Sequence, residues 1–426
     1  MTRRMLLTGF LSLAAVSFGL TRTVHAAEPE ATAKPSFFKE GDRIVFLGDS
    51  ITAQYQYSTY IELYLTTRMP GKGFTFLNAG IGGDTATGGA RRFQSHVLNE
   101  KPTAITINFG MNDGGYGAFN AGANKQFIEK TNAMLEMAKK AGVRVALVSP
   151  NAVDPRRKSN GAQYLETQKQ FYAPLKQSAE KYGVSYVDQY SITRAATDKM
   201  AVDDPMAKTA VPYPDGFHTS PPGGLLMAHA ILTGLNAPAL VSDVSIDAAA
   251  AKGEAKNSTI SDLAVGNANS SVSFTRQDNA LPLPVQNDWL PMLPYTNDLK
   301  DLNWYGITVK GLREGEYRIS IDGVPVAKAS AKDLAAGVNL GNLTKGPVFD
   351  QANQVMNAIN AKNGLVSQRF YEVVMFNPPA WLADVAAERK PAELKKRMEK
   401  IDEAQKNVDK LSMPKPRKFE IKMYQE

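Results

Sequence analysis

From residue 43 to about residue 235, short apolar runs alternate with longer stretches in which apolar positions recur every three or four residues. Runs at 43–47, 74–78, 104–109, 143–149 and 184–188 read as strands. They are apolar at successive positions, the pattern of a parallel sheet covered on both faces. Helical spacing at 57–68, 90–98, 124–140, 164–182 and 223–235 supplies the cover. The expected fold class is α/β: a three-layer α/β/α sandwich with a mainly parallel sheet.

Beyond residue 235 the texture changes. Residues 249–256 are small and polar, and 259–329 read as strands and turns. Strands at 305–310 and 317–321 flank the turn from Gly311 to Gly315, and Asp322-Gly323 is a two-residue hairpin signal before a strand at 324–327. Ser330 with Asp333 marks a helix start. Residues 347–363 and 391–411 have helical spacing, and Leu394, Met398, Ile401, Val408 and Leu411 share one face that would pack on the body. The expected organisation is one domain at 37–238, a smaller β-rich domain at 256–330, and helical segments with a basic C-terminal tail at 331–426. The sequence holds no tandem repeat.

Composition narrows the chemistry. The 426 residues include no Cys, which removes thiolate nucleophiles, thiolate zinc sites and iron–sulfur ligation. The net charge of +7 is carried at the ends: residues 1–26 hold Arg3, Arg4 and Arg22 with no acid, and residues 388–426 hold 12 Lys or Arg against 8 Asp or Glu. The body between them is neutral, so no clustered basic face for nucleic acid is expected. Arg3 and Arg4 precede an apolar run from Met5 to Leu20, and Val24-His25-Ala26 offers a small-residue cleavage site, so residues 1–26 read as a signal peptide. The run is too short and too diluted by Thr, Ser and Gly for a stable membrane anchor. The mature chain is expected in the periplasm or outside the cell. Thr2-Arg3-Arg4-Met5-Leu6-Leu7 fits a twin-arginine export pattern and an ordinary signal n-region equally well.

In open parallel sheets, ligands bind outside the carboxyl ends of the strands. Gly48-Asp49-Ser50-Ile51 follows the first strand, where Ser50 is either a helix N-cap or an exposed hydroxyl beside a helix N-terminus. Asn78-Ala79-Gly80-Ile81-Gly82-Gly83 follows the second, with glycines that let a backbone N–H approach a reacting carbonyl. Gly110-Met111-Asn112-Asp113 follows the third. Asp215-Gly216-Phe217-His218 precedes the helix at 223–235. A carboxylate three residues before a histidine can fix its tautomer and stabilise the imidazolium. His96 and His229 sit inside helical patterns and read as structural.

Together, in this order, the four loops resemble those of the SGNH hydrolases, also called GDSL esterases and lipases, over about residues 41–235. The resemblance implies the SGNH/flavodoxin-like variant of the sandwich, with Ser50 as nucleophile, His218 as general base and acid, and Asp215 as the group orienting it. It further implies an oxyanion hole made by the N–H groups of Ser50 and Gly83 and the side-chain amide of Asn112. Ile51 stands where the family usually has leucine. Asp49 and Tyr116 are candidate substrate-binding residues. Tyr55, Tyr57 and Tyr116 would give the rim a polar-tipped aromatic surface without an acyl groove, favouring short-acyl (O-acetyl) esters of carbohydrates, small or polymeric. The alternatives are a lipase or acylhydrolase for longer chains, or a catalytically silent carbohydrate-binding protein. No cofactor and no metal are implied.

Overall fold

Strands β1 (Arg43–Gly48), β2 (Thr75–Gly80), β3 (Ala104–Asn108), β4 (Arg144–Val148) and β5 (Ser185–Val187) form one parallel sheet in the order β2-β1-β3-β4-β5. In this computed structural model residues 35–424 are described, and the signal-peptide reading of residues 1–26 lies outside them. Helices α1 (Ser50–Ala53), α2 (Gln56–Arg68), α3 (Ala86–His96), α4 (Ala121–Lys140), α5 (Gly161–Tyr172), α6 (Pro174–Tyr182), α7 (Gln189–Asp203) and α8 (Pro221–Gly234) alternate with the strands or follow the last of them. The expected α/β/α sandwich is present. The single helix expected at 164–182 is broken, because Pro174 lacks an N–H donor and opens a new first turn instead. Helix α7 has apolar positions too sparse to mark a face, so periodicity does not predict it.

The C-terminal half begins with β6 (Leu240–Asp247), β7 (Lys252–Lys256), β8 (Ser258–Val265) and β9 (Ser271–Asp278), and continues with β10 (Trp304–Lys310), β11 (Glu316–Ile321) and β12 (Val324–Ser330). Helix α9 (Ala331–Ala336), opened by the Ser330–Asp333 capping box, leads to β13 (Val338–Asn339), α10 (Pro347–Arg369), α11 (Ala383–Ser412) and β14 (Arg417–Met423). The strands make two sheets, β13-β10-β6-β7 and β12-β11-β14-β9-β8. Side chains of the two sheets meet at Arg276 of β9, whose guanidinium lies 4.0 Å from the Tyr305 ring of β10, and at Phe419 of β14, whose ring lies 6.4 Å from that of Tyr305. The β-rich region thus starts at Leu240, ahead of the expected residue 256. The tail is also no solvated appendage: residues 417–423 form the central strand of the second sheet, with Phe419 and Ile421 turned into the core. A seven-residue strand whose apolar Phe419, Ile421 and Met423 alternate with charged residues hides easily inside a charged stretch.

Both halves belong to one compact unit. Helix α2 shows why: every residue from Tyr57 to Arg68 is buried, polar ones included. A helix buried all round needs cover on its outer side as well as on the sheet side. The C-terminal half provides it. Arg68 donates to the carbonyls of Leu281 and Leu302, Trp289 Nε1 donates to Tyr60 at 3.3 Å, Asn363 donates to Thr59 at 3.1 Å, and Lys362 pairs with Glu62. Further along, Arg369 makes a two-pronged ion pair with Glu100, at 2.9 and 3.0 Å.

Candidate active site

The four loops gather at the carboxyl edge of the parallel sheet. β1 delivers Ser50 as the first residue of α1, with Asp49 as the cap. Gly48 is required just before it, because a Cβ there would lie 2.1 Å from Thr52 Oγ1 and 2.7 Å from the Asn108 carbonyl. Asn78, near the end of β2, donates to the carbonyl of Thr52 at 2.8 Å and so ties the second strand to the far end of α1.

Ser50 Oγ lies 2.8 Å from His218 Nε2, and His218 Nδ1 lies 2.7 Å from Asp215 Oδ2. Asp215 has two roles. Its Oδ1 accepts the backbone N–H groups of Phe217 and His218, at 3.1 and 2.8 Å, closing the loop, while Oδ2 meets the imidazole. That double use gives the three-residue spacing its meaning. Burial works to raise the Asp215 pKa, but the hydrogen bonds from the His218 ring and from the two backbone N–H groups outweigh it and hold the carboxyl below its ordinary value. The group beside the imidazole therefore stays anionic. Just beyond, the N–H and hydroxyl of Thr219 both donate to Gln54 Oε1, at 3.1 and 3.0 Å, locking the histidine loop onto the end of α1.

Three N–H donors belong to the loops of this edge. The N–H of Ser50 belongs to the first turn of α1 and has no intrahelical acceptor. Gly83 sits at φ +72, a left-handed conformation that favours glycine, on an exposed turn. Asn112 is held at both ends of its amide: Nδ2 donates to the Asp84 carbonyl at 2.8 Å, and Oδ1 accepts from Tyr116 at 3.0 Å. One N–H of that amide remains for another acceptor. Arg92 joins the loops beneath, donating to Asp84 at 2.8 Å and to the Gly48 carbonyl at 3.2 Å. Asp113 accepts the N–H of Ala86 at the start of α3, at 3.0 Å. A hydroxyl, an imidazole and a carboxylate in series can generate a nucleophile, and free N–H donors are the groups that can receive the oxyanion that its attack creates.

Not every candidate faces solvent. Asp49, expected to bind substrate, is buried, and its carboxylate turns inward to accept the Ile51 N–H at 3.0 Å. Burial, with the nearby Asp113 and Asp84 charges adding to it, pushes its pKa up to about 7. Tyr57 lies in the core with its hydroxyl on Thr52, so it adds no rim surface. Tyr116 does lie at the rim, its ring 4.9 Å from Phe217, but its hydroxyl is occupied by Asn112. His229 is structural, as expected, with Nε2 2.9 Å from Asp301. Among the described residues, no group of His, Cys, Asp or Glu is arranged to hold a metal ion.

One neighbour of the site has no signal in the sequence. Tyr371, in a π-helical turn at 370–374 that follows α10, donates its hydroxyl to the Gly80 carbonyl at 3.0 Å. The two residues are 291 positions apart, and nothing local to either announces the contact.

Residues 46–224 match the GDSL-like lipase/acylhydrolase family, a family of ester hydrolases. The chain is similar to the esterase TesA of Pseudomonas aeruginosa, 32% identical over 110 residues that make up 25% of this chain and 52% of that protein. It is also 27% identical over 183 residues to the uncharacterized lipoprotein YqeF of Bacillus subtilis, covering 37% of this chain and 72% of that one. In three dimensions it resembles BT4096, a gut microbial diltiazem-metabolizing enzyme, with a TM-score of 0.80 at 23% identity over 92% of this chain and 99% of that chain. That likeness runs through both halves, so the attached C-terminal half is part of a shared fold.

Proposed function

We propose that the protein is an exported serine ester hydrolase that removes short acyl groups, acetyl foremost, from carbohydrate esters. The observation that carries the chemistry is the chain Ser50 Oγ to His218 Nε2 at 2.8 Å and His218 Nδ1 to Asp215 at 2.7 Å. Ser50 attacks the ester carbonyl while His218 takes its proton. The oxyanion is received by the N–H groups of Ser50 and Gly83 and by the free N–H of Asn112. His218 then passes the proton to the departing alcohol, leaving an acyl-serine, and water activated by the same imidazole releases the acid. Asp215 stays ionised and balances the imidazolium.

Support for a short acyl group is the rim itself, where Tyr116, Phe217 and the Lys158 ammonium lie together, with Nζ 4.9 Å from the Tyr116 ring. A long alkyl chain would have to displace the charged group from those rings. The export part of the proposal rests on residues 1–26 alone.

The test is labelling of the purified protein with a fluorophosphonate, mapped by peptide mass spectrometry beside Ser50→Ala. Label confined to Ser50 is expected, together with faster turnover of p-nitrophenyl acetate than of the palmitate ester. A folded protein that takes no label would instead be a carbohydrate-binding version of the fold, and a palmitate preference would make it a lipase.

A further inference from the structure

A cavity of about 330 Å³ lies at the seam between the two halves, lined by Gln54, four residues after Ser50, and by Pro221, three residues after His218. Its catalytic-half wall includes Gln54 and Pro221, and the C-terminal half contributes Gln286, Asp288 and Asn360. Gln54 places the cavity. Its N–H donates to the Ser50 carbonyl at 3.0 Å, one helical turn from the nucleophile, and its Oε1 holds Thr219, the residue after His218. The cavity therefore adjoins the loop carrying the imidazole. In acyl transfer this is the side that must receive the alcohol, since His218 delivers a proton to the departing oxygen.

The wall chemistry is specific. Gln54 commits its carbonyl oxygen to Thr219 and keeps both amide protons, whereas Gln286 donates its amide to Pro284 and Asn353 and keeps its oxygen. The Asp288 carboxylate and the Asn360 amide are exposed, and neither has a hydrogen-bond partner among the described residues. Donors and acceptors are thus both present in a space with no cationic side chain in its lining. An alkyl chain would leave these groups unpaired and desolvated. Asp288 would repel a phosphate or carboxylate. A neutral ring bearing several hydroxyls satisfies them all, because each hydroxyl both donates and accepts.

We propose that this cavity is the subsite for the alcohol portion of the ester, and that it selects an uncharged polyhydroxylated ring, a sugar. The inference rests on the ester-hydrolase reading above. It gives the C-terminal half a direct part in substrate selection, because Gln286, Asp288 and Asn360 of that half stand in the cavity wall. Tyr55, which also lines the cavity, takes a left-handed backbone conformation (φ 63) between α1 and α2 that a non-glycine residue adopts only when its surroundings enforce it.

Two acetyl esters that differ only in the alcohol provide the test, 6-O-acetylglucose and ethyl acetate, with p-nitrophenyl acetate as a check that the enzyme is active. The wild type is expected to prefer the sugar ester in kcat/KM. In Asp288→Ala/Asn360→Ala that preference should fall by about tenfold or more, since each lost hydrogen bond is worth up to about a factor of ten. Asn360→Phe, which fills the space from an exposed helical position, should abolish it, with thermal melting confirming that both variants fold. The inference is overturned if the wild type shows no preference, or if the preference survives both changes while p-nitrophenyl acetate is still hydrolysed. If no acetyl ester is turned over and Ser50 takes no fluorophosphonate, the ester-hydrolase reading fails and the inference falls with it.

Discussion

Tyr371 and Gly80 join the two halves of the molecule at its reactive edge: the tyrosine hydroxyl donates to the glycine carbonyl at 3.0 Å, three residues before Gly83. The tyrosine is 41% exposed, so the bond adds little to stability and serves to hold the turn that presents the Gly83 N–H. Tyr371→Phe removes the tether alone. The expected result is a several-fold fall in kcat, little change in KM, and a melting temperature within about 2 °C of wild type, as for a surface change of a few tenths of a kcal/mol. Unchanged kcat would show that the turn is held without it.

Asn112 is fixed by Asp84 on one side and Tyr116 on the other. Asn112→Ala removes an oxyanion donor and should lower kcat by about 100- to 1000-fold without unfolding the protein. Tyr116→Phe leaves the donor in place but frees the amide to turn, so a smaller loss of kcat is expected. Equal losses in the two variants would mean that Tyr116 contacts the substrate itself.

Asp113 is half-buried beneath the second loop, and its loss of solvent, only partly opposed by the Ala86 N–H, raises its pKa from 3.8 to about 7. Between these values the folded protein holds a proton that the unfolded chain releases. Folded molecules then bind more protons, so stability falls as pH rises from about 4 to about 7 and levels off above. Asp113→Asn keeps an acceptor for Ala86 and removes the titration, which also relieves the neighbouring Asp49 of a like charge. Thermal melts from pH 4.5 to 8 should show a shallower decline in the variant. Parallel curves for the two proteins would place the titration elsewhere.

Glu62 of α2 and Lys362 of α10 form an ion pair in the seam, both side chains almost wholly out of solvent. Breaking one side of such a pair costs about 3–5 kcal/mol, because the remaining charge stays buried without its partner. Lys362→Met should lose that much in chemical denaturation, and Glu62→Gln/Lys362→Met should recover most of it. The same seam predicts that residues 27–238 expressed alone are unstable, since α2 would present Thr59, Tyr60, Glu62 and Arg68 without the partners that satisfy them. A soluble, cooperatively folding fragment would contradict this.

The parallel sheet, most of the helices that cover it, and the loops carrying Ser50, Gly83, Asn112, Asp215 and His218 were legible in the sequence. The reasons are local: buried parallel strands write continuous apolar runs, and rim loops need glycine where a Cβ would strike backbone, as at Gly48. The Asp215–His218 spacing is local too, because one carboxylate closes the turn and orients the ring. Tertiary structure decided what depends on partners far along the chain. Asp49 and Tyr57 are polar residues close in sequence to Ser50, and only packing shows that they turn inward. Residues 417–423 look like a charged tail until strands β9 and β11 leave a space between them for β14. The Tyr371–Gly80 contact and the cavity at the seam exist because α10 and the segment around Trp289 close over α2, and no periodicity in either segment records the surface it will meet.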